Sequence, residues 1–98
     1  MVEKMTDDER TAFFAAHPDW AEARGGDAAT RTFRFGSFAE AFGWMTRIAI
    51  EADKADHHPE WFNVYDRVEV TLTTHDADGL SARDAAMAAV MDAAYGAR

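Results

Sequence analysis

The chain contains no cysteine, which excludes disulfide frameworks, thiolate nucleophiles and cysteine metal ligands and suits a reducing cytoplasm. Proline is nearly as scarce: Pro18 and Pro59 are the only two, so each marks a forced backbone boundary. No apolar run approaches the roughly 20 residues needed to cross a bilayer. The opening Met1-Val2-Glu3-Lys4 is not followed by the apolar core of a signal peptide. Basic residues are few as well. Ten Lys and Arg against 18 Asp and Glu give a formal net charge of −8, whereas a nucleic-acid-binding domain would carry a basic footprint. Nucleic acid and membrane are therefore not expected as partners; a small molecule or a soluble protein is. No linker, internal repeat or low-complexity segment interrupts the chain.

What is present fits one globular domain spanning residues 1–98, with 48% hydrophobic and 12% aromatic residues. Three segments begin with a hydroxyl residue, place an acid three positions later and continue with apolar periodicity. They are Thr6-Asp7-Asp8-Glu9, Ser37-Phe38-Ala39-Glu40 and Ser81-Ala82-Arg83-Asp84. This is the capping-box pattern of a helix start. The first helix is expected over about residues 7–16, with Phe13 and Phe14 inward and His17-Pro18 ending it. Residues 20–23 read as a short strand, Arg24-Gly25-Gly26-Asp27 as a turn, and 29–35 as a second strand, which together make a hairpin.

The second helix is expected from Phe38 to about His57. Its core stripe reads as Phe38, Ala41, Phe42, Met45, Ile48, Ala49 and Ala52. Trp44 and Ile50 fall off that stripe and suggest a second apolar surface covered by another subunit. Residues 61–65 and 67–75 read as strands. The latter alternates, with Val68, Val70, Leu72 and Thr74 facing one way and Arg67, Glu69, Thr71, Thr73 and His75 the other. Residues 76–79 form a turn, and an alanine-rich helix follows over about 82–95 with Met87, Val90 and Met91 inward. The order α-β-β-α-β-β-α predicts an α+β fold: a four-stranded antiparallel sheet with three helices packed on one face.

Chemistry concentrates in Asp53-Lys54-Ala55-Asp56-His57-His58-Pro59, where a helix ends on two adjacent histidines. Read plainly, one histidine caps the helix against its dipole and the other is solvated. A functional reading needs a third group, and His75, on the polar strand face beside Thr73, supplies it. Three imidazoles with Asp53 nearby allow either a zinc site or acid–base catalysis near neutral pH. None of the familiar zinc-ligand spacings is present. Asp84 reads locally as the third residue of a capping box and Asp53 as a solvated carboxylate. Trp20, Trp61 and Tyr65 could stack on a flat ring or serve as packing.

Taken together, Asp53, His57-His58-Pro59, Tyr65, His75 and Asp84 closely resemble the signature of pterin-4a-carbinolamine dehydratases. Ser37 through Ile50 is similar to the family's central helix. The run from His57 to Tyr65, Thr74-His75 and Gly79-Leu80-Ser81 also read as family segments, so the resemblance covers roughly Trp20 to the end. It implies the same α+β fold and dehydration of a 4a-hydroxytetrahydropterin to a quinonoid dihydropterin, which recycles the cofactor of aromatic amino acid hydroxylases. It implies neither metal nor cofactor, a homodimer or homotetramer, and a functional link to such a hydroxylase. By the same resemblance His57, His58 and His75 are catalytic, with His57 as the acid at the leaving hydroxyl. Asp53 and Asp84 support them, and Trp20 stands near the pterin. Thr73, Thr74 and Trp61 join them as substrate-binding or supporting positions. Asp53 is one methylene shorter than the glutamate common in close relatives. The alternative is a non-catalytic oligomer that binds a pterin or another protein. Some animal members serve as dimerisation cofactors of a homeodomain transcription factor, a role nothing in this sequence supports.

Overall fold

A computed structural model describes residues 2–98. The elements run α1 (Asp7–Ala16), β1 (Ala21–Ala23), β2 (Ala28–Arg34), α2 (Phe38–Ala55), β3 (Glu60–Val64), β4 (Arg67–Leu72) and α3 (Ala82–Gly96), with short 3₁₀ turns at Arg24–Gly26 and His75–Ala77. The strands form one antiparallel sheet in the order β1-β2-β4-β3, and the three helices cover one of its faces.

Each helix starts where the hydroxyl–acid pattern places it, because the hydroxyl satisfies an amide that has no partner within the helix. The Thr6 hydroxyl accepts from the Glu9 amide at 3.1 Å, and the Glu9 carboxylate accepts from the Thr6 amide at 2.8 Å. Ser37 accepts from the Glu40 amide at 3.1 Å. At α3, the Ser81 hydroxyl accepts from the Arg83 amide and Asp84 reaches back to the Ser81 amide at 3.0 Å.

In the sheet, Val68, Val70, Leu72 and Thr74 are all buried, as their alternation requires. The register sets Phe33 opposite Val68 and Trp61 opposite Val70. Phe33 is the centre of the core, with ring centroids 4.4 Å from Trp44, 5.0 Å from Tyr95 and 6.0 Å from Trp20. Full burial of such a side chain contributes about 2–3 kcal/mol on the area scale. From α3, Met87, Ala88, Met91 and Ala94 complete this core.

Three expectations are corrected. In α2 the buried residues are Ala41, Trp44, Ile48 and Ala52, so Trp44 belongs to the core while Phe38 and Phe42 are half exposed and Ala49 faces solvent. The helix carries two apolar stripes one position apart, and the sheet takes the one containing the largest side chain. The large apolar side chains left exposed on α2 are Phe38, Phe42 and Ile50, and Trp44 is not among them. Next, β4 stops at Leu72, because the Thr74 amide and carbonyl turn away to pair with Gly79. His75 thus sits on a turn, not on a strand. Finally, Val90 is 37% exposed and Trp20 precedes β1 rather than opening it, whereas Phe14, partly buried, packs against the core as expected.

Candidate active site

The site begins where α2 ends. Asp56 adopts the left-handed conformation (φ 50°, ψ 43°), which aspartate tolerates better than most residues. The amides of Asp56 and His57 fold back onto the last turn, His57 N–H donating to the Ala52 carbonyl at 3.1 Å. This reversal sends the two adjacent histidines to different places. His57 enters the interior and is 8% exposed; His58 stays outside, its side chain 59% exposed.

His57 Nε2 lies 2.6 Å from Asp84 Oδ1. Asp84 is fully buried, and its other oxygen, Oδ2, accepts from the Thr74 hydroxyl at 2.7 Å and the Ser81 amide at 3.0 Å. A buried carboxylate is tolerated only when donors surround it, and here it has two besides the imidazole. Thr74 in turn lies 2.7 Å from the Ser81 hydroxyl, which can donate to it while Thr74 donates to Asp84. The carboxylate thus requires the proton of neutral His57 to sit on Nε2, which leaves Nδ1 as the nitrogen able to exchange a proton with a bound molecule. Asp84 caps α3 through one oxygen, as its local pattern requires, and meets His57 through the other.

A cavity of about 230 Å³ is lined by Asp56, His57, His58, Thr73, Thr74, His75, Asp76 and Arg83. The three histidines come from a helix end, the loop before β3 and the turn after β4, and they meet on this one cavity. His58 Nε2 is held by Asp53 at 2.8 Å, a pair lying at the surface. Thr73 is fixed by donating its hydroxyl to the Asp27 carbonyl at 2.7 Å. His75 is the most exposed of the three, its side chain 84% accessible, with Nε2 3.7 Å from Glu60. Behind His57 and Arg83 lies a second, mostly apolar groove of about 180 Å³ between α2 and α3, which Met87 and Val90 also line. Among the described residues, no group of three or more His, Asp or Glu side chains is placed to hold a metal ion.

Of the expected residues, Asp53 and Asp84 do not line this cavity but contact histidines that do, and Trp20 and Trp61 lie apart from it. Trp20 is 3% exposed and donates its indole N–H to Asp92 at 3.0 Å, and it lines no part of the cavity. Its neighbour in the core is Phe33, so it contributes packing. Trp61 is half-buried beside Trp44 and lines a separate depression with Glu60, Phe62, Glu69 and Thr71. Conversely, the sequence reading passed over Arg83 and Glu60. Arg83 could have been found from its place beside Asp84 in the first turn of α3. Glu60 gave no local signal, because its relation to His75 depends on the pairing of β3 with β4.

Three imidazoles around one small cavity, one of them braced by a buried carboxylate, can give and take protons at neighbouring atoms of a single ligand. Known proteins with the same organisation agree on a family. The family model for pterin 4 alpha carbinolamine dehydratase matches residues 3–94. A Novosphingobium aromaticivorans protein provisionally named pterin-4-alpha-carbinolamine dehydratase is 63% identical, covering 93% of this chain and 95% of its own. A similarly named protein of Paraburkholderia xenovorans is 54% identical, covering 94% and 96%. The crystal structure of a transcriptional coactivator/pterin dehydratase from Brucella melitensis superposes with a TM-score of 0.92 at 44% identity, covering 96% of this chain and 100% of that one. A pterin dehydratase-like protein identified as a RuBisCO assembly factor in the alpha-carboxysome is more distant, with a TM-score of 0.70 and 25% identity over 80% of this chain and 90% of that one. With the match running over residues 3–94 and these relatives covered nearly end to end, the chain belongs to the pterin 4 alpha carbinolamine dehydratase family.

Proposed function

We propose that this protein is a hydro-lyase that dehydrates 4a-hydroxytetrahydropterin to quinonoid dihydropterin by histidine acid–base catalysis, and so recycles the pterin cofactor of an aromatic amino acid hydroxylase. The observation that carries this reading is the meeting of His57, His58 and His75 on one cavity, with His57 fixed by Asp84.

Hydroxide is a poor leaving group, so the C4a–O bond breaks as an acid protonates the oxygen and water departs. The electrons of a ring N–H bond form the new double bond as a base takes that proton. His57 serves as the acid: protonated, it offers Nδ1–H to the cavity while Nε2–H stays on Asp84. His58 or His75 takes the ring-nitrogen proton, and solvent returns both histidines to their starting states. Thr73 and Thr74 shape the cavity wall. No metal or cofactor enters these steps. Self-association through Phe38, Phe42 and Ile50, half exposed on α2, completes the reading as a homodimer or homotetramer.

The test is stopped-flow absorbance of 4a-hydroxytetrahydropterin dehydration. The protein should accelerate the reaction, and a folded His57→Ala/His75→Ala variant should lose about 10²–10⁴-fold of that gain. Unchanged rates in the folded double variant would refute the mechanism. A non-catalytic module is the second reading, favoured by the fold's likeness to the RuBisCO assembly factor. It requires no rate gain from the wild-type protein and a partner retained on an affinity column.

A further inference from the structure

His57 and His58 each have a carboxylate within hydrogen-bonding distance. His75 has none so close, and its side chain is the most exposed of the three, yet a base must present its nitrogen in one direction. Glu60, the first residue of β3, supplies the nearest carboxylate, with Oε2 3.7 Å from His75 Nε2. Glu60 is itself held: Arg24 Nη2 donates to Oε1 at 2.7 Å and Nη1 to Oε2 at 3.2 Å. Arg24 belongs to the turn after β1, and strands β2 and β4 lie between it and β3, so the pair spans the open face of the sheet. The backbone at Arg24 is left-handed, with φ 53°, a conformation that a residue with a side chain adopts only at a cost. The Arg24 hydrogen bonds pull the Glu60 carboxyl below the usual carboxylate range; slight desolvation opposes this, and the charges of Arg24 and His75 add to it.

We infer that Arg24 and Glu60 form a positioning pair for His75: Arg24 clamps both oxygens of Glu60, and Glu60 turns the Nε2 edge of the His75 ring toward itself so that Nδ1 is offered to the cavity. The inference rests on the proposed dehydratase reading and adds to it two residues outside the cavity lining. Other charged or titratable groups around the cavity are Asp56, His57, His58, Asp76 and Arg83. None of them is among the ion-pair partners of His75, whereas Glu60 is. The competing explanation is a surface staple between the two edges of the sheet.

A charge swap separates the two. Glu60→Gln keeps the shape of the side chain and removes its charge; it should lower kcat/KM about two- to fivefold, as expected for losing one exposed charge contact. The loss should fall in kcat more than in KM and should alter the limb of the pH–rate profile that His75→Ala also alters. In a His75→Ala background, Glu60→Gln should have no further effect. The Arg24→Glu/Glu60→Arg double variant restores an ion pair but puts a cation beside His75. A staple would be rescued by it; the positioning pair would not. Independently of any turnover, the His75 ring Cε1–H resonance of the ligand-free protein should move in Glu60→Gln at fixed pH, while that of His57 stays. Rescue by the charge swap, an unmoved His75 resonance, or an undiminished Glu60→Gln effect in the His75→Ala background would each overturn the inference. Absence of dehydration by the wild type would instead count against the dehydratase reading, and the resonance measurement would still decide the pairing.

Discussion

Replacing Asp84 by asparagine keeps the volume and one acceptor oxygen but removes the charge on which the His57 tautomer depends. The remaining oxygen can occupy the place of Oδ2, accepting from the Ser81 amide and the Thr74 hydroxyl. The new amide group then faces His57 Nε2 across the 2.6 Å contact and must donate to it. The neutral imidazole can satisfy that donor only by carrying its proton on Nδ1, so the cavity-facing nitrogen can no longer accept a proton, and the imidazolium would meet an N–H with an N–H. A reversed tautomer at a catalytic histidine costs on the order of 10²–10⁴ in kcat. On stability, three bonds to a carboxylate become bonds to a neutral amide, each weaker by about 1 kcal/mol. Relief from burying a charge offsets part of this, which leaves a net cost of about 2 kcal/mol. For a domain of this size that is a fall in Tm of roughly 10 °C, so the variant still folds at 25 °C. Stopped-flow dehydration gives the kinetic loss, and nitrogen-15 spectra of the His57 ring give the tautomer. A folded Asp84→Asn protein within about threefold of wild-type kcat/KM, with its His57 tautomer unchanged, would refute this account.

Asp53→Asn should be mild, since the Asp53 side chain is 82% exposed and its partner His58 59%: kcat/KM should fall less than about threefold and Tm should hold to within about 1 °C. Asp92→Ala should be severe for stability. Asp92 receives Arg31 at 2.6 Å, Trp20 at 3.0 Å and His17 at 3.3 Å, and its loss leaves the largely buried Arg31 guanidinium with only the longer Asp19 contact at 3.7 Å, a cost of about 3 kcal/mol, read by thermal melting. Because the Glu60 carboxyl is held below its ordinary value by Arg24, Glu60 adds stability that is fully present above about pH 5. That contribution is lost as pH falls from the ordinary carboxylate range through the lowered folded value, so the difference in Tm between wild type and Glu60→Gln should shrink progressively once pH falls below about 5. A gap that widens as pH falls below about 5 would contradict the direction of the shift.

Helix starts were the most legible feature of the chain, because capping is local: Thr6, Ser37 and Ser81 all act as their neighbours three positions on require. The alternation of residues 67–74 was equally readable, since burial of one sheet face imposes a period of two. The α2 stripe was legible only in part: Ala41, Ile48 and Ala52 are buried as expected, whereas Trp44 takes the core place given to Phe38 and Phe42. Phe38, Phe42, Met45 and Ala49 repeat as regularly as Ala41, Trp44, Ile48 and Ala52, and periodicity cannot tell which of two apolar stripes meets the sheet. At the candidate site, the sequence singled out the three histidines that line the cavity and Asp84 beside it, but not their connections. Which oxygen of Asp84 meets His57, and that Glu60 approaches His75, depend on residues 27 and 15 positions apart being brought together by tertiary packing. Asp56, whose left-handed backbone separates His57 from His58, passed unnoticed because a helix end followed by proline already looked complete.

The two-sided use of Asp84 ties the readiness of the site to a single local event. The Ser81 amide can meet solvent only if Asp84 Oδ2 lets it go, and a carboxylate free to swing from its cap no longer anchors the imidazole on Oδ1. Hydrogen–deuterium exchange at that one amide therefore measures how often the first turn of α3 opens, and the same openings set the share of molecules with a misaligned histidine. Osmolytes or a bound ligand that slow exchange at Ser81 at fixed pH and temperature should lower the misaligned fraction by the same factor, long before any global melting is visible.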